Sequence, residues 1–148
     1  MENYGSIKSV MRSFYRAVAA FGQQFRYPGC SLNEAIIIGI IGRHPDISAS
    51  QLSGFIAIDS GYLCRLLKKL EAEGILTRSA EKKPPFVKHL RLTPRGRRIS
   101  RETGAILDAS IEEHLSALDP AGLKAFSDAM EQLSQSLSQL VPDSLPRR

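Results

Sequence analysis

Basic side chains are the residues of this chain best suited to bind another molecule, and several share one side of a short segment. Between Asp59 and Gly74, leucines recur every three or four residues, a spacing that predicts an α-helix with one apolar face. On a helical projection, Arg65 and Lys68 lie opposite the leucines, and Lys69 flanks them. Because such groups bind phosphate, the row is either a solvated surface or a contact surface for a polyanion. The leucines are Leu63, Leu66, Leu67 and Leu70.

Charge is distributed unevenly along the chain. The net charge is only +5, but residues 78–101 contain nine lysines and arginines against one acid. Residues 102–146 reverse this balance, with eight acids and one lysine. A split of this kind indicates a basic working surface and an acidic remainder, although a solvated charged surface is the simpler alternative. The basic block adjoins the basic side of the predicted helix, which favours a shared surface.

The composition limits the possible classes of protein. With 148 residues, of which 43% are hydrophobic, the chain is expected to form one globular domain. Its apolar runs are far shorter than the roughly 20 residues of a membrane span, and its first residues lack the features of a signal peptide. Two cysteines make no disulfide framework, which favours a reducing cytoplasm. The three scattered histidines and the lack of any nucleophile or phosphate-loop motif predict no enzyme, metal or cofactor.

Start and stop signals divide the chain into helices. Apolar residues at helical spacing predict a long first helix, within about 1–28. Capping boxes at Ser31–Glu34 and Ser48–Gln51 predict the starts of the next two helices. Asp59 is placed to cap the helix with the basic side, which Gly74 then ends. Two short helices in succession, the second basic on its outer side, are the elements of a helix-turn-helix.

The second half of the chain predicts a hairpin followed by two long helices. Strand candidates at 75–78 and 86–92 flank a proline-containing loop, so the hairpin forms a wing with its tip near 79–86. Thr93-Pro94 and Asp119-Pro120 are helix starts, and the last helix carries a narrow apolar seam that needs a partner helix. The fold class is therefore mainly α: a winged helix-turn-helix at about 31–93, with dimerisation helices at about 1–28 and 94–141 and a tail at 142–148.

Several short motifs in this order resemble the MarR family of bacterial winged-helix transcription regulators. The matching stretches are ISASQLSGFIAIDSGYLCRLLKKLEAEGILTRS and HLRLTPRGRRI, with the exit Leu70-Glu71-x-x-Gly74-Ile75-Leu76-x-Arg78 and the junction Leu92-Thr93-x-x-Gly96. The resemblance implies a homodimer with interlocked terminal helices that binds pseudo-palindromic double-stranded DNA as a repressor. It also implies release from DNA by a small, often aromatic acid, or by oxidation of a cysteine in other members.

The wing departs from the family pattern. Members usually carry Asp-x-Arg shortly before the Leu-Thr pair, and the corresponding positions here are Pro84, Pro85 and Phe86. The arginine that would enter the minor groove is therefore missing from its usual place. Lys82 and Lys83 lie just before these positions and are expected to contact phosphate or the groove edge instead.

The candidate DNA contacts are drawn from the two short helices and the wing. Arg65 is suited to a base edge in the major groove, whereas the lysines are suited to phosphate. Two simpler explanations stay open: Tyr62 packs on the wing, and the residues that begin the first short helix are only caps. The candidate set is Ser50, Ser60, Gly61, Tyr62, Arg65, Lys68, Lys69, Lys82 and Lys83.

Two other functions remain open from the sequence. In the first, Cys64 beside the basic row or Cys30 near a helix start is a redox sensor, since a helix N-terminus favours thiolate and oxidation at Cys64 adds bulk where DNA must fit. The alternative is that Cys64 is a small, half-buried filler. In the second, the winged helix binds an acidic protein in place of DNA. The ligand pocket is not identified.

Overall fold

The structure, a computed structural model, describes residues 4–56, 58–81 and 87–138. It confirms a mainly α winged-helix fold with a small antiparallel sheet. None of the helices within the described residues is long and apolar enough to cross a membrane. In chain order the elements are α1 Tyr4–Gln24, α2 Leu32–Arg43, β1 Ile47–Ser48, α3 Ala49–Phe55, α4 Ser60–Ala72, β2 Leu76–Ala80, β3 Lys88–Leu92, α5 Pro94–Leu115 and α6 Pro120–Ser138.

The predicted caps begin the helices as expected. At α2 the backbone N–H of Ser31 donates to the Glu34 carboxylate at 2.7 Å, and the Glu34 N–H donates to the Ser31 hydroxyl at 3.3 Å. Ser48 and Gln51 form the same reciprocal pair at α3. At α4 the Asp59 carboxylate accepts a hydrogen bond of 2.9 Å from the N–H of Tyr62. These bonds satisfy N–H groups that have no partner within the helix.

The sheet is more extensive than the hairpin that the sequence predicts. Its strand order is β1-β3-β2, and both pairs are antiparallel. The wing strands pair from Leu76 opposite Leu92 to Ala80 opposite Lys88, so β2 begins one residue later than predicted. Phe86, the predicted start of the second strand, lies outside the described residues. The additional strand β1, Ile47–Ser48, pairs with β3. Two residues are too few to show an alternating pattern, which is why the sequence does not reveal this strand.

One apolar core joins α2, α4 and the sheet. The four leucines of α4 are buried, as predicted, together with Ile37, Ile38 and Ile41 of α2. Leu76 of β2 and Leu90 of β3 close the core from the sheet side. The β-branched run of α2 therefore forms a buried helix, apolar on most sides, in place of the buried strand that its composition also permits.

A close junction connects the end of α4 to the start of α5. Gly74 adopts a left-handed conformation with φ of 67° after the last turn of α4. The Thr93 hydroxyl donates to the Gly74 carbonyl at 2.7 Å, and the Thr93 N–H donates to the Ile75 carbonyl at 3.0 Å. A Cβ at Gly96 would lie 2.0 Å from the Ile75 carbonyl oxygen, so α5 can approach the strand only because residue 96 has no side chain.

We expect Gly96→Ala to destabilise the protein by about 3 kcal/mol, the upper range for overpacking, because its methyl group would overlap backbone that cannot rotate away. The matched control is Gly104→Ala on the same helix, where an added Cβ meets nothing within 4 Å. The control should gain about 0.5–1 kcal/mol from helix propensity. Denaturant unfolding measures both free energies, and equal stability of the two variants would contradict the close approach.

Candidate nucleic-acid interface

The helix α4 presents its basic row to the outside of the molecule. Burial of Leu63 and Leu67 fixes which side of the helix faces the core. Arg65 and Lys68 are exposed on the opposite side, as the helical projection predicts. The preceding helix α3 and the turn before Asp59 complete the helix-turn-helix, so α4 occupies the position of a recognition helix.

Tyr62 supports the side chain of Arg65. Its ring is half-buried against the apolar core, and the guanidinium of Arg65 lies 5.8 Å from the ring centroid. At this distance a cation–π contact restricts the arginine before any ligand arrives. A Cβ at Gly61 would lie 3.1 Å from Asp59 Oδ1 and 3.8 Å from Arg65 Nη1, so the glycine relieves a close approach to the cap of α4. The contacts of Tyr62 place it against the core, and its predicted DNA contact remains a prediction.

The start of α4 is already occupied by a carboxylate. Ser60 and Gly61 are exposed in the first turn, as is Ser50 on α3. However, the Asp59 carboxylate binds the Tyr62 N–H and places negative charge at the helix N-terminus. A phosphate there would meet like charge, so this arrangement favours side-chain contacts of Ser60 over an N-terminal phosphate site.

Lys69 has a partner that the sequence does not suggest. Its ammonium donates to a Glu34 carboxylate oxygen at 2.6 Å, and a Glu73 oxygen lies 3.8 Å away. Burial alone would raise the pKa of the Glu34 carboxyl, but the Lys69 ammonium and the hydrogen bonds with Ser31 outweigh it and lower that pKa. The bond to Glu34 raises the pKa of Lys69 in turn. The pair is therefore ionised on both sides at neutral pH.

The base of the wing is held by polar contacts to the turn before β1. The guanidinium of Arg91 forms two hydrogen bonds with the Asp46 carboxylate, one of them 2.6 Å long from Nη2 to Oδ2. His89 places Nδ1 2.8 Å from the Asp46 carbonyl and Nε2 3.1 Å from the Glu81 carboxylate, and these two contacts raise its pKa. Since both partners are acceptors, only the imidazolium donates to both. The predicted contacts Lys82 and Lys83 lie outside the described residues.

Several basic residues between 78 and 101 already form ion pairs or hydrogen bonds with other groups of the same chain. Arg78 forms an ion pair with Glu71 at 2.9 Å, and Arg91 is bound to Asp46. Arg95 donates to the Glu73 carbonyl at 3.0 Å. The charge count of the sequence therefore overstates the basic surface that is available to a ligand. The row of Arg65 and Lys68 on α4 is exposed, and neither residue pairs with a carboxylate among the described residues.

Comparison with known proteins agrees with this geometry. A sequence model of the MarR family matches residues 31–83, which run from the cap of α2 into the wing. Over these residues the chain matches the sequence pattern of the MarR family.

Solved structures extend the likeness to nearly the whole chain. Streptococcus pneumoniae FabT in complex with DNA is 25% identical, with a TM-score of 0.77 over 94% of this chain and 100% of that one. A MarR transcriptional regulator from Methanosarcina mazei is 20% identical, with a TM-score of 0.76 over 93% and 99%. Bordetella bronchiseptica BpsR, whose DNA binding is regulated by 6-hydroxynicotinic acid, is 20% identical, with a TM-score of 0.71 over 90% and 99%.

The two cysteines have different surroundings. Cys30 is half-buried, and its burial, followed by the nearby Glu34 carboxylate, raises the pKa of its thiol to about 11. That shift opposes the thiolate expected at a helix N-terminus and disfavours Cys30 as a redox sensor. Cys64 is exposed on α4, so the interpretation as a half-buried filler is wrong. Its oxidation remains a prediction. The described residues hold no group of three or more His, Cys, Asp or Glu side chains that suits a metal ion.

A groove with basic residues in its lining lies between α2 and α5. Its volume is about 390 Å³, and its walls combine small and apolar residues with the arginines Arg43, Arg97 and Arg101. Gly104 lies in the α5 wall, where an added Cβ would meet open space. The sequence offers no local signal for this groove, because its two walls are about 60 residues apart in the chain.

The terminal helices expose apolar side chains that a globular monomer usually buries. On α1, Val10 is 66% exposed and Val18 is 52% exposed, and on α6, Phe126 is 44% exposed. A groove of about 320 Å³ with an almost entirely apolar lining joins α1 to Leu133 of α6. Patches of this kind mark interaction surfaces. The exposed large apolar residues of α1 and α6 are Ile7, Val10, Met11, Phe14, Tyr15, Val18, Leu123, Phe126 and Met130.

Proposed function

We propose that this protein is a homodimeric transcription regulator that binds double-stranded DNA through α4 and is controlled by a small acidic ligand. The observation that carries the proposal is the exposed row of Arg65 and Lys68, which the buried leucines of α4 direct away from the core. A helix of this size fits the major groove, where arginine binds guanine O6 and N7 and lysine binds phosphate. Lys82 and Lys83 of the wing are proposed to add phosphate contacts.

Arg65→Ala should weaken binding to a specific site by about 1–3 kcal/mol and relax the preference at one base position. The reason is that Arg65, supported by Tyr62, is the arginine of α4 and faces outward from it. The specific site is first selected from genomic fragments, and affinities are then measured by gel shift or fluorescence anisotropy.

The matched control is Arg16→Ala, which removes the same charge from an exposed position on α1. It should leave the base preference unchanged. Wild-type affinity for the selected site in the Arg65 variant would refute the assignment of α4. Failure of the wild type to bind any duplex at low salt would instead favour the alternative of a winged helix that binds an acidic protein.

Dimerisation is supported by the apolar surface of α1 and α6. Burial of these side chains against a second copy would remove them from water, which is the main favourable term in association. A two-fold dimer would also present two copies of α4, as binding to a pseudo-palindromic site requires. We further propose that the dimer acts as a repressor in the cytoplasm and that its ligand releases it from the site.

We predict that Phe126→Glu converts the dimer to a monomer, because it places a charge in the apolar surface of α6. Gln132→Glu is the control, since it adds the same charge at an exposed polar position of the same helix. Sedimentation velocity measures the mass of each variant. A wild type of monomeric mass would reject the homodimer, and a dimeric Phe126→Glu variant would reject this surface.

The groove between α2 and α5 is our proposed effector site. Its apolar walls suit a ring, and Arg43, Arg97 and Arg101 at its rim suit a carboxylate. Arg97 also donates to the Leu92 carbonyl at 2.9 Å, at the end of the wing, so a ligand that competes for this guanidinium would disturb the wing. An aromatic acid bound here would therefore weaken DNA binding.

Because 6-hydroxynicotinic acid regulates BpsR and salicylic acid is bound to a Mycobacterium tuberculosis MarR family protein of similar fold, we test these two acids. We expect either acid to release DNA from the wild type, and Gly104→Leu to abolish that response. The leucine fills the groove from a position where the structure offers open space, so DNA affinity without the acid should stay unchanged. Gly104→Ala serves as the control because it adds little volume. Anisotropy titration of bound DNA with each acid measures release. A full response in the Gly104→Leu variant would move the site elsewhere, and no response in the wild type would exclude these acids.

A further inference from the structure

Adjacent lysines at the middle of α4 have opposite surroundings. Lys68 has no carboxylate partner among the described residues and lies in the outward row with Arg65. Lys69 is next in the chain, yet its ammonium lies between two carboxylates, with the shorter contact, 2.6 Å, to Glu34 of α2. An approaching phosphate would therefore meet one unneutralised cation, Lys68, and one cation, Lys69, that is already neutralised.

Glu34, the carboxylate that binds Lys69, is itself held in place. It is only 3% exposed and sits in the first turn of α2, where the Ser31 N–H donates to its second carboxylate oxygen at 2.7 Å. Both carboxylate oxygens are thus occupied, one by the cap of α2 and one by Lys69. A buried carboxylate without its counter-charge is strongly destabilising, so Lys69 leaves Glu34 only at a high cost.

The contact also restricts α4 in a way that the leucines do not. Apolar packing is non-directional and tolerates small rotations of a helix about its axis. A short ion pair with a hydrogen bond is directional, and it fixes both the rotation and the axial position of the turn that carries Lys69. Arg65 lies one helical turn earlier on the same side, so any rotation released at Lys69 moves the guanidinium at Arg65.

We propose that Lys69 is a positioning residue: together with Glu34 it sets the rotation of the recognition helix and thereby the aim of Arg65, and it does not bind DNA phosphate. The proposal rests on DNA binding by α4, as proposed above. It replaces the phosphate contact that the sequence alone predicts for Lys69 with a role in selectivity. The two roles differ in their salt dependence, because only a phosphate contact releases counterions.

The test compares Lys69→Met with Lys68→Met, two substitutions that remove the same charge from neighbouring positions. For each variant, affinity for random duplex is measured against salt concentration, and the ratio of affinities for the selected site and random duplex is measured at one salt concentration. Lys68→Met should reduce the salt slope by about one per chain. Lys69→Met should leave the slope as in the wild type and reduce the ratio roughly tenfold, the discrimination that one base contact supplies.

Three further variants separate positioning from stability. Glu34→Gln removes no DNA-facing charge, and it should reproduce the loss of selectivity seen in Lys69→Met. Lys69→Arg keeps the ion pair and should retain the selectivity of the wild type. The double variant Glu34→Gln/Lys69→Met should be no less selective than either single variant, because both remove one shared contact. Thermal unfolding establishes that each variant is folded at the temperature of the binding assay.

Three results would overturn the proposal: a reduced salt slope in Lys69→Met, wild-type selectivity in that variant, or wild-type selectivity in Glu34→Gln. If Glu34→Gln does not fold, the comparison of the two lysine variants decides the question. Failure of the DNA-binding function is a separate result, since it appears in the wild type as an absence of salt-dependent binding to random duplex.

Discussion

The one-sided burial of α4 is the constraint on which the other features of the interface depend. Leu63, Leu66, Leu67 and Leu70 are almost fully removed from water, and each such burial contributes about 1.5–3 kcal/mol. Turning the helix over would expose all four and bury the basic row, so the core fixes which side of α4 faces outward. The contact of Lys69 with Glu34, as proposed above, sets only the finer rotation that aims Arg65. The Thr93–Ile75 hydrogen bond and Gly96 then set where α5 leaves this core, and α5 forms one wall of the groove proposed for the effector.

Local signals explain why so much of the fold is predictable from the sequence. The caps at Ser31, Ser48, Asp59 and Thr93 each depend on atoms within three residues, and the periodic leucines depend on helical geometry alone. What the sequence misses is non-local. The contact from Glu34 to Lys69 spans 35 positions, and that from Asp46 to Arg91 spans 45. Strand β1 is stable only because β3 pairs with it, so its two residues contain no pattern of their own.

A count of charges along the sequence does not by itself locate a binding surface, because ion pairs form between residues that are distant in the sequence. Counting treats Arg78, Arg91 and Lys69 as equal to Arg65 and Lys68, because it considers only residue type. Folding distinguishes them: Glu71, Asp46 and Glu34 reach the first three across the structure, while the outward row has no carboxylate within reach among the described residues. Residues 65–91 thus supply both the cations that form ion pairs within the fold and the cations that face outward. The two kinds differ in whether a carboxylate lies within reach.

The exposed apolar surface of the terminal helices is a second feature that residue type alone does not explain. In α4 the apolar side chains are covered by the core of the same chain, whereas on α1 and α6 those of Val10 and Phe126 remain exposed in a single copy. Both sets obey the same helical spacing, so the sequence alone does not distinguish an internal face from an external one. If a second copy covers this surface, the relative positions of the two α4 helices are set by α1, α5 and α6. A change in the groove between α2 and α5 would then alter the spacing of the two basic rows without touching either one.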